Sequence, residues 1–371
     1  MKVLIVSSYL PYPLHSGGSI RLYNLIKNLQ KDHEITLVCE KRNYQTQRDT
    51  DEVSKICHKV VVFNRPKTWS LRNILLTIFS MNPMLITAHT HKRFSEIIKK
   101  ELSRNSFDLI HVETFYVMQN LPKTNIPIIL VEHNVEYMVY KRYARNAPFM
   151  LRPILYFDAV KLARVERNSW KKATKNITVS LDEKQYIGED TEIIPNGVDI
   201  YKFRMKKIVK DKKDPSAASS KGGQAGQEKR VLFIGNFKLP ESIKNLRAES
   251  VIFDENAPDE TELIFQKADL LLAPIRVGGG TKFKILESMA SGTPVITTPL
   301  GNEGINARDG SEILIAEKPA ELARKTVSLL GDDYLYEKIS RNGRKFIEEN
   351  YDWKKISERL DAVYRNLVQE L

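Results

Sequence analysis

Two kinds of hydrophobic patterning alternate along these 371 residues. Short apolar, β-branched runs without polar alternation appear as KVLIVSS, EITLVCE, HKVVVF, DLIHVE, IPIILVEH and NITVS in the first half. In the second half they appear as RVLFIGNF, ADLLLAPI, PVITTP and EILIAE. Strands that lack alternation are covered on both faces, the condition of a parallel sheet enclosed by helices. Longer segments with apolar residues at helical spacing separate them. The strand–helix alternation occurs twice, which predicts an α/β chain of two doubly wound domains.

The break between the two is the stretch 206–230, KKIVKDKKDPSAASSKGGQAGQEKR. It is charged, then small, then Gly- and Gln-rich, and cannot bury enough apolar surface to offset ordering. It therefore reads as a flexible linker or excursion between a domain over 1–200 and a second over 231–350. The end, 351–371, is an amphipathic helix with Ile356, Leu360, Val363 and Leu367 on one stripe. That stripe must dock, but spacing alone does not say on which domain. A further segment, 69–100, mixes Trp, Phe, Ile, Leu and Met with Arg and Lys. It reads either as helices covering the first sheet or as an interfacial lipid-facing surface.

Chain length agrees with two cores rather than one. The charge balance adds something: 58 Lys and Arg against 46 Asp and Glu give +12, which calls for an anionic partner. Cys39 and Cys57 are too few and too far apart for a disulfide framework or a metal cluster. The opening MKVLIVSSYLPYP reads as a first buried strand rather than a signal peptide. There is no run of about 18 apolar residues. Basic residues are dispersed and no recognised nucleic-acid module appears, so nucleic acid is disfavoured as the partner.

Ligands bind where parallel strands end, so the loops there hold the candidate chemistry. After the first strand, Gly17 and Gly18 precede a helix-patterned segment that Ser16 or Ser19 can cap. That combination either lets an anion reach a helix start or makes a plain turn. The pattern is not G-x-G-x-x-G, so a nicotinamide fingerprint is absent. His133, after IPIILVE, is placed to contact a substrate or donate a proton. His15, His33, His58, His89, His91 and His111 show no metal-ligand spacing beyond the pair His89 and His91, and no protein-bound metal is expected. EIIPNGVD ends the first domain with a turn. The most specific stretch is 271–299, LLAPIRVGGGTKFKILESMASGTPVITTP. Gly278, Gly279, Gly280 and Thr281 lead into a helix, with Lys282 and also Arg276 or Lys284 close to its start. Such a start suits a diphosphate. Glu287, a turn and a half further on among Ile285, Leu286 and Met289, is placed for the hydroxyls of a ribose.

Taken together, PIRVGGGTKFKILESMASGTPVITT, IIPNGVD, EHNVEY and SGGSIR resemble the GT-B-fold glycosyltransferases of family four, in the branch that builds surface polysaccharides. The resemblance spans nearly the whole chain. It implies two facing Rossmann-like domains, a final helix crossing back to the first, and a nucleotide-diphosphate sugar held mainly by the second. It also implies an acceptor held mainly by the first domain, and transfer with retention and without metal or other cofactor. Position by position, Glu287 corresponds to the ribose-binding glutamate, and Gly280, Thr281 and Lys282 to the diphosphate-facing helix start. Gly17 and Gly18 correspond to the glycine loop facing the donor phosphates, and His133 to the active-site histidine. Two departures stand out. Gly279 occupies the position where many members carry a sugar-contacting glutamate. FIGNF runs into KLPESIKNL without the family's Arg and Lys pair, so the second domain is expected to be abbreviated.

The resulting expectation is a retaining hexosyltransferase with His133 and Lys282 as catalytic residues. Gly17, Gly18, Gly279, Gly280, Thr281, Lys282 and Glu287 would bind the donor. The acceptor would be a glycan or lipid-linked hydroxyl. Location would be cytoplasmic, with an anionic membrane surface as a further partner. The alternatives are a non-catalytic nucleotide-sugar-binding subunit of a transferase complex and a nucleotide-sugar epimerase.

Overall fold

The computed structural model describes residues 1–68, 70–206, 229–234, 261–276 and 281–370. Two compact units emerge. The first contains Met1–Gly197 and Trp353–Leu371, the second Val198–Gly278 and Lys282–Asp352.

In the first unit the order is β1 (Lys2–Ser7), α1 (Gly17–Leu29), β2 (Glu34–Lys41), α2 (Gln47–Ser54) and β3 (Lys59–Asn64). There follow α3 (Leu71–Phe79), α4 (Met84–His89), α5 (Lys92–Arg104), β4 (Leu109–Glu113), β5 (Ile128–Glu132) and α6 (Glu136–Asn146). The unit continues through α7 (Arg152–Lys172), β6 (Lys175–Thr178), α8 (Leu181–Ile187) and β7 (Glu192–Ile193). All strand pairs are parallel, in the order β3-β2-β1-β4-β5-β6-β7. Val3 pairs with Ile35 on one side and Leu109 on the other. Leu4, Ile5 and Val6 are all buried, which is why β1 lacks polar alternation. Strand order reverses between β1 and β4, the position where doubly wound sheets bind their ligands.

The helix Trp353–Gln369 belongs to this unit and packs against α1. Its buried stripe is Ile356, Leu360, Tyr364 and Leu367. Tyr364, rather than the expected Val363, faces inward, because its hydroxyl finds a buried partner described below. His33, at the end of the α1–β2 turn, bonds Asp361 on the same helix at 2.7 Å.

The 69–100 segment divides. Phe94 and Ile98 of α5 are core, whereas Leu71, Ile78 and Phe79 of α3 are exposed, Phe79 by 84%. Trp69 lies outside the described residues. Lys161 of α7 donates to the carbonyls of Thr77 and Ser80 at 2.7 and 3.1 Å, tying the end of α3 to α7. The start of α7 and the turn before it expose Phe149, Met150, Ile154 and Phe157, Met150 by 85%. Exposed apolar residues thus concentrate on α3 and around the start of α7.

The second unit runs β8 (Val231–Leu232), α9 (Thr261–Lys267), β9 (Leu270–Ala273), α10 (Phe283–Ala290), β10 (Val295–Thr297) and α11 (Pro299–Asn302). It ends with β11 (Leu314–Ile315), α12 (Pro319–Gly331) and α13 (Asp333–Asn350). Its four described strands are parallel in the order β11-β10-β9-β8. Phe265, Leu271, Ile285, Leu286, Met289 and Ile347 form its core. Gly292, at φ 69, terminates α10 in the left-handed conformation, as the Ser-Gly pair in the sequence suggests. Most of the expected linker (207–228), Phe237 and the 238–246 stretch fall outside the described residues, as do Gly278, Gly279 and Gly280.

Candidate functional site

In the first unit, chemistry gathers at the C-terminal ends of β1, β4 and β5, beside the reversal of strand order. His111 and Glu113 are two apart on β4 and so share a side of the strand. Glu113 Oε2 accepts from His111 Nε2 at 2.7 Å, and Oε1 accepts from His133 Nε2 at 2.5 Å and from the Tyr9 hydroxyl at 3.2 Å. His111 Nδ1 meets the Tyr364 hydroxyl on the C-terminal helix. Burial alone would raise the Glu113 carboxyl. The charge His133 carries when protonated, and hydrogen bonds from His111 and His133, outweigh burial and hold it well below the usual carboxylate range. Tyr9 and Tyr364 are pushed upward by burial and by the Glu113 charge. Directly after Glu113, Thr114 sits at φ 70 and ψ 142, a conformation that costs a β-branched residue about 1–3 kcal/mol. Its hydroxyl is 3.1 Å from that of Ser8. Strain of this kind persists where surrounding contacts over-determine the backbone.

Gly18 adjoins the same cluster. A Cβ there would lie 2.9 Å from the Tyr9 hydroxyl and 3.5 Å from His133 Cε1, so any side chain would push into it. Gly17 and Gly18 do not precede α1, contrary to expectation. They form its first turn, with Ser16 as the cap accepting from Ser19 N at 3.3 Å. One turn further, Arg21 is fully buried. It donates through Nη1 to the Pro195 carbonyl at 2.8 Å and to Asn196 Oδ1 at 3.2 Å. The Pro-Asn-Gly segment is therefore more than a turn, since it receives the guanidinium. Burial lowers the Arg21 pKa, against the pull of Glu113, Tyr9 and Tyr364. The His133 loop is anchored from behind, where Glu166 of α7 accepts from the backbone N–H of Glu136 and Tyr137 at 2.7 and 3.0 Å.

In the second unit, Lys282 is the N-cap of α10 and Glu287 lies a turn and a half along it. Burial pushes the Glu287 carboxyl up to about 7, with Lys202 lowering it and Glu262 raising it. Lys202 and Glu262 are themselves paired at 3.4 Å. Lys284 is not directed to a ligand: its ammonium donates to the Ile234 carbonyl at 2.7 Å. Arg276 is exposed and lines a cavity of about 350 Å³ with Thr298, Glu317 and Lys318, where β9, β10 and β11 end. That is the size and place of a small-ligand crevice in a doubly wound sheet.

Gly18 and His133 are thus together in the first unit, while Thr281 and Lys282 lead into α10 and Glu287 lies past its middle. Sequence reasoning missed Tyr9, Arg21, Glu113, Asn196 and Tyr364, and it passed over His111 as a lone histidine. The available signal was His-x-Glu at the end of an otherwise apolar strand. His89 and His91 are structural. His89 bonds Glu40 at 2.7 Å and Arg65 at 3.0 Å, and His91 bonds the Ala88 carbonyl. Among the described residues there is no group of three His, Cys, Asp or Glu able to hold a metal.

Comparison with known proteins follows this geometry. The family described as Glycosyltransferase Family 4 matches residues 15–202, and the one described as Glycosyl transferases group 1 matches residues 218–332. The chain is 22% identical over 408 residues to an uncharacterised 44.6 kDa protein in the cps region of Klebsiella pneumoniae, across 96% of this chain and 97% of that one. Among solved structures it is similar to sucrose-phosphate synthase of Thermosynechococcus elongatus, with a TM-score of 0.72 and 18% identity over 100% of both chains. HepE of Anabaena, in complex with UDP and glucose, gives a TM-score of 0.63 at 14% identity, over 99% of this chain and 100% of that one. At such identities the likeness establishes the fold, two Rossmann-like α/β domains of the GT-B class.

Proposed function

The chain belongs to Glycosyltransferase Family 4, and on that premise we propose that it transfers a hexose-type sugar, with retention, from a nucleoside-diphosphate sugar to a hydroxyl of a glycan or lipid-linked acceptor. The observation that carries the reading is the position of Glu287. It is a half-buried acid on the helix after a parallel strand, in the same unit as the cavity at the ends of β9, β10 and β11, though it does not line that cavity. In this reading Glu287 accepts from the ribose hydroxyls. The start of α10 takes the diphosphate, with Lys282 and the residues that precede it in sequence, Gly279, Gly280 and Thr281. Charge on the leaving diphosphate grows toward the transition state. Backbone N–H groups and the Lys282 ammonium oppose it there, so the proposal needs no metal. The departing phosphate accepts the proton of the acceptor hydroxyl, which makes a pair of catalytic carboxylates unnecessary. Gly17 and Gly18 serve the donor phosphates, and His133 the transferred sugar. The UDP and glucose named for HepE support the donor class.

The test is a melting-temperature screen of the purified protein against nucleoside diphosphates and their hexose conjugates. At ligand concentrations about 100 times Kd, binding should add about 2.7 kcal/mol of stability, and the matching conjugate should then yield nucleoside diphosphate when acceptor is present. The anomeric proton coupling of the product reads retention. A protein stabilised by none of these ligands would sink the proposal.

The proposal extends to peripheral attachment to an anionic membrane. No helix among the described residues is long and apolar enough to cross a membrane. The exposed α3 surface and Phe149, Met150, Ile154 and Phe157 supply apolar contact, flanked by exposed Lys141, Arg142, Arg145 and Arg152. Basic residues near an anionic surface contribute about 1 kcal/mol each, screened by salt. Flotation should recover the protein with anionic vesicles at low salt and lose it at high salt. The Phe79→Ser, Met150→Ser double variant should float poorly. Equal recovery on neutral and anionic vesicles would count against attachment.

A further inference from the structure

Both oxygens of the Glu113 carboxylate are engaged from within the first unit. Oε1 takes His133 Nε2 at 2.5 Å and the Tyr9 hydroxyl at 3.2 Å, and Oε2 takes His111 Nε2 at 2.7 Å. An ionised carboxylate only accepts, so each imidazole must present its Nε2 with a hydrogen; a bare Nε2 would set lone pair against lone pair. His111 Nδ1 faces the Tyr364 hydroxyl, and Tyr364 is buried. A neutral His111 already protonated at Nε2 accepts at Nδ1, which makes Tyr364 the donor.

We infer that the hydrogen-bond chain Tyr364–His111–Glu113 holds neutral His133 as its Nε2–H tautomer, so that Nδ1 is the atom the ring offers to a ligand, as a hydrogen-bond acceptor. The inference rests on His133 lying in the active site of the transfer reaction proposed above. Of the two roles expected for His133, contacting a substrate or donating a proton, it keeps the first. In this arrangement it takes a hydrogen bond from a ligand hydroxyl, and no proton moves along the chain. Glu113, His111 and Tyr364 are positioning residues, since they touch the ring or each other and not the substrate. The His133 side chain keeps 17% of its surface exposed while Glu113 keeps none, so the ring is the member that can meet a ligand. The charged and titratable groups around it are Glu113 and His111 from β4, Tyr9 after β1, Arg21 from α1, Glu136 from α6 and Tyr364 from the C-terminal helix. The role also gives the C-terminal helix a link to the site that its apolar stripe does not require.

The experiment reads the tautomer directly in the intact, unliganded protein. Long-range proton–nitrogen NMR of the imidazoles is recorded in mildly alkaline buffer, with the His133 signals assigned by their loss in His133→Gln. The expected spectrum has a protonated Nε2 and a bare Nδ1 on His133 and His111. A His133 ring protonated at Nδ1, with Nε2 bare, overturns the inference. Tyr364→Phe removes the donor to His111 Nδ1 and should shift the resonance of that bare nitrogen while Nε2 stays protonated against Glu113. Turnover should fall roughly three- to tenfold, the worth of one hydrogen bond, with little change in KM for the donor. In Glu113→Gln the amide donates to one imidazole, so one ring should switch tautomer. Wild-type turnover in Tyr364→Phe with no change at His111 overturns the chain even where Glu113→Gln does not fold. A protein with the expected tautomers and no transfer activity with any donor would support this inference and remove the proposed function.

Discussion

Replacing Arg21 with methionine is expected to lower the melting temperature by on the order of 10 °C, the equivalent of about 3–5 kcal/mol in a unit of this size. Methionine fills much of the same space, so the loss is electrostatic rather than a cavity. Arg21 has no exposed surface, and Nη1 serves the Pro195 carbonyl and Asn196 Oδ1 at once. Without it both acceptors are buried unpaired, each costing about 1–3 kcal/mol, and Glu113 loses its opposing buried charge. Burial disfavours the guanidinium, which returns part of that cost in the variant. Arg21→Lys should recover the charge, but the shorter side chain should not reach both acceptors, and so it should melt between the two. Scanning calorimetry of the three proteins decides this. A loss under about 2 °C in Arg21→Met would mean that the α1 link to Pro195 and Asn196 contributes little.

Arg21 also marks where reading the sequence stops. The sheet was legible because its strands are covered on both faces, and KVLIVSS or IPIILVEH can hardly be anything but buried strands. His133 and Gly18 were legible for a similar reason, as special residues just past the ends of such strands. The contact from Arg21 to Asn196 spans 175 residues and has no local signature. In GGSIRLYNLIKNL an arginine one turn into a helix looks solvated, and Pro-Asn-Gly looks like a turn. Glu113 was hidden by its position as the last residue of a strand, where a solvated acid is ordinary. The C-terminal stripe shows the same limit more finely. Apolar spacing selects Val363, but a hydroxyl bond to His111 turns Tyr364 inward and sets the rotation of the helix. Sequence periodicity reports which faces are covered. It does not report which polar groups are paired under the cover, and the first-unit site consists of such pairs.

In the second unit, Glu287→Gln is expected to act in opposite directions on stability and on ligand affinity. Burial holds the Glu287 carboxyl at about 7, above its ordinary value of 4.5. A folded-state pKa above the unfolded one gives stability that is full below about 4.5 and lost as pH rises through about 7, up to about 3 kcal/mol. Glutamine resembles the protonated acid and does not titrate. Relative to wild type, the variant should therefore gain stability across that window and be the more stable protein at mildly alkaline pH. Affinity should run the other way. If two ribose hydroxyls donate to the ionised carboxylate, wild-type binding of a nucleoside diphosphate strengthens as pH passes about 7, and the variant binds about ten- to a hundredfold more weakly above it. The terminal phosphate also titrates in this region, but equally for both proteins, so the difference between them isolates Glu287. Urea denaturation and calorimetric titration with the nucleoside diphosphate, each on either side of neutrality, supply the four comparisons. An affinity ratio that stays near one at every pH would take Glu287 out of the nucleotide site, whatever its effect on stability.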